Sequence, residues 1–289
     1  MALDLGAILT AMVTPFDGRG ELDEDAAVRL MGHLLEHGSD GLVLCGTTGE
    51  APTLSDEEKL RLIRLGVEEV RPANPEAKIV AGVGHNNTRH TVELTERVSE
   101  LRPDALLVVN PYYNKPSRRG VVRHFEEVAR ATDLPIVLYN IPQRTAQDMS
   151  NDLLEELAQI ENIRAVKQAN PANLKKLDGL SIYAGNDDML ADVLDLGEPG
   201  GVLVASHLFG EEMRQMVDKP ERRREIDESL ADVYRELAVA PLACAVKGAL
   251  NLLGIEVGTP RLPYVELEES ERQTVRRLLE RHGLLATAA

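Results

Sequence analysis

The sequence predicts an α/β chain folded as a closed (β/α)8 barrel with a C-terminal helical appendage. Three observations carry that expectation. Short apolar runs recur along the chain with amphipathic stretches between them, the pattern of repeated βα units. A length of 289 residues matches one such barrel, although it could also hold two domains. Polar clusters fall just beyond the ends of the apolar runs, where barrels of this kind carry their chemistry. An open doubly wound sheet is the competing arrangement, but no Gly-rich dinucleotide fingerprint follows the first run.

The eight expected strands begin near Ala7, Gly41, Lys78, Ala105, Pro135, Ile163, Ser181 and Gly201. After the first, Asp23-Glu24-Asp25 leads into an apolar stripe reaching Met31, an acidic helix start. Ser55-Asp56-Glu57-Glu58 opens the next helix as a capping box. Residues 88–101, 120–131, 151–160 and 189–196 read as later helices, and a short helix around 172–177 is expected between the sixth and seventh strands. The strand pattern stops near Lys219. This divides the chain into a barrel over 1–218 and a helical region over 219–289, with an irregular stretch at 258–263 and a frayed end at 286–289. Residues 5–13 are apolar enough to mimic a signal-peptide core. No basic residue precedes them and Asp4 does, so they read as the first strand.

Composition narrows the partners. Lys and Arg number 32 against 48 Asp and Glu, a net charge of −16 that opposes nucleic acid and anionic membrane. No run approaches the roughly 18 apolar residues of a membrane helix. Cys45 and Cys244 form neither a metal spacing nor a disulfide framework, which fits a reducing, cytoplasmic setting. His33 and His37 are read as a solvated helix face. His85 and His90 lack a carboxylate or cysteine ligand at suitable spacing, and Asp187-Asp188 is read as the cap of the following helix. No metal and no cofactor are expected.

Lys167 closes the apolar run Ile163-Arg164-Ala165-Val166-Lys167. Desolvation there favours the neutral amine, the form that attacks a carbonyl carbon. Taken alone, a lysine at a strand end is more often a snorkelling surface residue. Tyr139 fits a core aromatic, and Thr47-Thr48 between glycines fits a plain turn. What raises chemistry above these readings is placement. Strand two runs into Gly46-Thr47-Thr48-Gly49-Glu50, strand four into Asn110-Pro111-Tyr112-Tyr113, strand five ends at Tyr139, strand six at Lys167 and strand seven at Gly185. All lie at one barrel end, and side-chain alternation lets Lys167 and Tyr139 both point into its mouth.

These segments, with Thr14-Pro15-Phe16, Tyr139-Asn140-Ile141-Pro142-Gln143-Arg144-Thr145 and Val166-Lys167, resemble the dihydrodipicolinate synthase family of the N-acetylneuraminate lyase superfamily. The resemblance covers nearly the whole chain. It implies that Lys167 forms an imine with pyruvate, and that the derived enamine attacks aspartate 4-semialdehyde. It also implies a proton relay of Tyr139, Thr47 and Tyr113, the last supplied by a neighbouring subunit of a homotetramer built as a dimer of dimers. Thr48 would help to hold the pyruvate carboxylate, Leu203 would bring a carbonyl near the lysine nitrogen, and Gly185 would line the substrate site. Arg144 would grip the carboxylate of the semialdehyde; its guanidinium separates this reading from the alternative, a pyruvate-dependent class I aldolase for a keto-deoxy sugar acid or N-acetylneuraminate. Two departures stand out: Gln168 where an acidic residue is usual, and an atypical strand-eight exit at Leu203–His207. Positions lining a lysine-feedback site in sensitive relatives are Ala51, Pro52, Asp56 and Lys59 here, beside Asn86 and Tyr112. Because Lys59 would repel a cationic effector, feedback is expected to be weak or absent.

Overall fold

The computed structural model describes residues 3–286. Its eight strands are β1 (Ile8–Ala11), β2 (Gly41–Leu44), β3 (Lys78–Gly82), β4 (Ala105–Val109), β5 (Ile136–Asn140), β6 (Ile163–Gln168), β7 (Ser181–Ala184) and β8 (Gly200–Leu203). They run parallel in sequence order, and β8 pairs with β1 to close a (β/α)8 barrel. Nearly every strand residue is buried, as expected of parallel strands covered by helices outside and packed side chains inside. That is why the strands read as continuous apolar runs. The expected tail over 286–289 lies outside the described residues, apart from Ala286. Among the described residues no helix is long and apolar enough to cross a membrane.

Local chemistry sets the helix starts. The Asp23 side chain accepts from Ala26 N ahead of helix Glu24–Glu36, and Ser55 and Glu58 form the reciprocal capping box of helix Asp56–Arg64. Helix Arg118–Arg130 begins two residues before the expected start, because Ser117 caps it through Gly120 N. The link between β6 and β7 departs from expectation: no α-helix forms over 172–177, only a 3-10 turn at Pro171–Asn173. There Asn170 caps Ala172 N, while Asn173 donates to Asp148 and to Met149 O. Those side chains satisfy the turn laterally, and Leu174 goes extended instead of continuing a helix.

After helix Ser206–Asp218 the chain is mainly helical to helix Leu242–Leu252, then irregular over 253–268, including the expected stretch 258–263, before helix Glu269–Arg281. This part reaches back to the barrel through a buried ion pair. Lys247, on helix Leu242–Leu252, lies 2.6 Å from Glu50, and both side chains are almost fully buried. Glu50 also accepts from Arg261 N at 2.9 Å, and the Lys247 amine and the Arg261 guanidinium each lie 4.1 Å from the Phe16 ring centroid. Gly258 (φ 67°) lets its strand of chain touch Phe16, since a Cβ there would fall 1.8 Å from the Phe16 carbonyl oxygen. Lys247→Met strands the Glu50 carboxylate without its partner. Urea denaturation is expected to show a loss of about 3–5 kcal/mol.

Candidate active site

The site is built at the C-terminal ends of β5 and β6. Beyond a register irregularity near Val137, Tyr139 stands directly opposite Lys167. The lysine amine lies 4.4 Å from the Tyr139 ring centroid, and each residue is only 5% exposed. Burial lowers the Lys167 pKa to about 8; Asp187 pulls it back up and Arg144 pushes it further down. Burial pushes the Tyr139 phenol up to about 12, against the opposing effects of Arg144 and a hydrogen bond with Thr47. At neutral pH the phenol therefore keeps its proton, while a useful fraction of the lysine is free amine.

Thr47 is carried by a turn fixed on several sides. Glu50 N donates to Thr47 O at 3.1 Å, Ala51 N donates to Gly46 O at 3.2 Å, and the Thr14 hydroxyl donates to Gly49 O at 2.6 Å. Gly49 is needed at this approach, because a Cβ there would lie 2.9 Å from Met12 O. Thr48 is buried and Thr47 is half-buried. Arg144 sits on the helical turn Pro142–Thr145 immediately after β5 and is exposed. A cavity of about 560 Å³ brings together Thr47, Tyr139 and Arg144 with Lys59, His90 and Tyr112. Its outer part holds Asp56 between Lys59 (3.5 Å) and His90 (2.8 Å), with the His85 and His90 ring centroids 4.5 Å apart.

The other candidate residues divide. Gly185 follows β7 and donates its N–H to Gln168 O at 2.7 Å; a Cβ would lie 2.7 Å from that carbonyl carbon, so the backbone packs tightly beside Lys167. Leu203 is buried at the end of β8, in register with Thr10. Of the candidate residues only Thr47, Tyr139 and Arg144 line the cavity; Lys167, Thr48, Gly185, Leu203 and Tyr113 do not, and Tyr113 alone among these five is turned outward, 87% exposed with φ 73°.

Two features escape sequence reasoning. Asp187 does not cap the following helix. Its carboxylate accepts from Val204 N (2.8 Å) and Ala205 N (3.1 Å), tying the β7 exit to the β8 exit next to Lys167. Burial raises its pKa to about 6, with those N–H groups and Lys167 opposing the rise. The atypical strand-eight exit has its own logic. His207 donates from Nδ1 to Val204 O (2.8 Å) and accepts from Val13 N at Nε2 (3.1 Å), bridging the β8 and β1 exits as a neutral ring. Burial pulls its pKa down to about 4. Both are tertiary contacts, and the sequence signals neither beyond the presence of polar residues after a strand.

The chain matches the Dihydrodipicolinate synthetase family over residues 4–282. It is 42% identical to the 4-hydroxy-tetrahydrodipicolinate synthase of Desulforudis audaxviator, covering 99% of this chain and 100% of that protein. Among solved structures, dihydrodipicolinate synthase from Bacillus anthracis superposes with a TM-score of 0.91 at 38% identity, covering 97% of this chain and 99% of the other. The corresponding enzyme of Cyanidioschyzon merolae, solved with lysine bound, gives 0.91 at 36% identity over 97% and 99%.

Proposed function

Because the chain belongs to the Dihydrodipicolinate synthetase family, we propose that it joins pyruvate to aspartate 4-semialdehyde through a Schiff base on Lys167. Its activity is that of a 4-hydroxy-tetrahydrodipicolinate synthase, a lyase of lysine and diaminopimelate biosynthesis. The observation that supports Lys167 most strongly is its buried amine, with a lowered pKa, against the Tyr139 ring.

The free Lys167 amine attacks the ketone carbon of pyruvate, forming the N–C bond. Tyr139 passes a proton to the departing oxygen, which leaves as water, and the imine remains. Loss of a methyl proton gives the enamine, whose carbon bonds to the aldehyde carbon of the semialdehyde while that oxygen takes a proton. The substrate's amino group then displaces Lys167 from the imine carbon, closing the ring and freeing the amine. A phenol that stays protonated and exchanges with the Thr47 hydroxyl serves these transfers without exposing a base to water. Thr48, beside Thr47 in the glycine-flanked turn, is assigned to the pyruvate carboxylate, and Arg144 to the semialdehyde carboxylate. Leu203 and Gly185, at the ends of β8 and β7, are assigned to the surroundings of the imine.

The pH dependence follows from the lysine. Only the free amine reacts, so kcat/KM for pyruvate is expected to rise with pH up to a limb near pH 8, falling about tenfold per pH unit below it. A pH–rate profile checks this; a flat profile between pH 6 and about 8 would contradict it.

Tyr113 enters the relay from a second copy, in a homotetramer of two tight dimers. Its high exposure on a left-handed loop residue is what an interface side chain looks like in one chain alone. Sedimentation together with Tyr113→Phe kinetics tests this assignment. Lysine feedback is assigned as weak or absent, because the Lys59 amine lines the cavity where a cationic effector would sit, although Asp56 partly offsets its charge. Half-inhibition at submillimolar lysine would overturn that. The cytoplasm is the assigned compartment, in keeping with two unpaired, buried cysteines.

A further inference from the structure

Gln168 ends β6, one residue beyond Lys167, and is 1% exposed. Its Oε1 accepts from Asn140 Nδ2 and from Asn170 N, each at 3.0 Å. The orientation of this amide is forced. Asn170 N is a backbone donor, and Asn140 must present its NH2 because its own oxygen accepts from Met149 N at 2.9 Å. Position 168 is thus offered two donors at one atom. The other atom, Nε2, is buried with no hydrogen-bond partner among the described residues. A carboxylate would meet the same two donors and leave no N–H stranded. By hydrogen-bond count the pocket suits an acid better than the amide it holds.

The cost of the orphan N–H makes sense through the neighbour. A glutamate here would set a negative charge one residue from Lys167 in a dry wall, where charges are weakly screened. The charged groups already facing the lysine are Asp187 beyond β7 and Arg144 beyond β5, with opposite effects. On the Gln168 side, Asp148 is the nearby acid, joined through Asn140 Nδ2, which donates to both. We propose that Gln168 keeps negative charge out of the wall behind Lys167 and thereby favours the free, nucleophilic amine. Gln168 touches no reacting atom; it is a positioning residue that acts through Lys167. The proposal rests on the reading of Lys167 as the pyruvate nucleophile.

The test compares the full chain with Gln168→Glu and with Gln168→Glu combined with Asp148→Asn. Across a pH series, the rate of borohydride-trapped pyruvate adduct is measured alongside the melting temperature. In both variants the acid limb of trapping is expected to move up by about one pH unit, slowing trapping roughly tenfold below the limb. If repulsion from Asp148 unfolds the single variant, the double variant supplies the same readout. Limbs that superimpose on wild type, with adduct still on Lys167, overturn the proposal and leave the nucleophile intact. A wild-type chain that forms no adduct overturns the nucleophile itself, and this proposal with it.

Discussion

Lys167→Ala is expected to lower turnover by at least about 10³-fold and to abolish trapping of pyruvate, while leaving the fold in place. The loss is large because the amine is the bond-forming atom in the proposed route, and no neighbour can replace it. The two other lysines named in these sites are committed elsewhere. Lys59 meets Asp56, and Lys247 is locked to Glu50 beneath the Thr47 turn. Removing an amine that is costly to bury charged takes a countercharge from Asp187, but that carboxylate keeps its bonds from Val204 N and Ala205 N, so circular dichroism and melting temperature should stay close to wild type. A variant that unfolds at room temperature would show instead that Lys167 is structural.

Arg144→Ala separates the two substrates. The guanidinium is exposed at the cavity, on a turn that begins where β5 ends, and its charge is felt by both Lys167 and Tyr139. Loss of a clamp on a carboxylate is expected to reduce kcat/KM for aspartate 4-semialdehyde by roughly 10²- to 10³-fold. The pyruvate adduct should still form. Because Arg144 lowers the lysine pKa, its removal also shifts the acid limb of trapping upward, a secondary effect readable in the same pH series. Equal losses for both substrates would mean that Arg144 serves the imine rather than the second substrate.

Much of the barrel is legible in the sequence because its strands are short, doubly buried and therefore uniformly apolar. All eight begin within one residue of the runs that announce them. The opposition of Tyr139 and Lys167 is legible for a related reason: strand ends and two-residue alternation constrain which side chains can meet. The β6–β7 link is not, because the Asn170 and Asn173 side chains, bonded across to Asp148, override a helical pattern too short to sustain itself. Asp187 reads as a helix cap since local patterns favour nearby partners, whereas its partners are the Val204 and Ala205 amides on the next strand exit. The Glu50–Lys247 pair joins a loop to a helix far along the chain, and nothing local in either segment names the other. Tyr113 is the limiting case. Its ring does not line the cavity of its own chain, so the relay role proposed for it rests on a second copy of the chain, which one sequence does not contain.

Borohydride reduction in the presence of pyruvate, followed by peptide mapping, tests the central claim most directly. The expected result is one reduced-pyruvate adduct per chain on the peptide carrying Lys167, formed faster as the pH rises towards 8. Turnover of pyruvate and aspartate 4-semialdehyde without any trapped adduct, or an adduct on a different lysine, would contradict it.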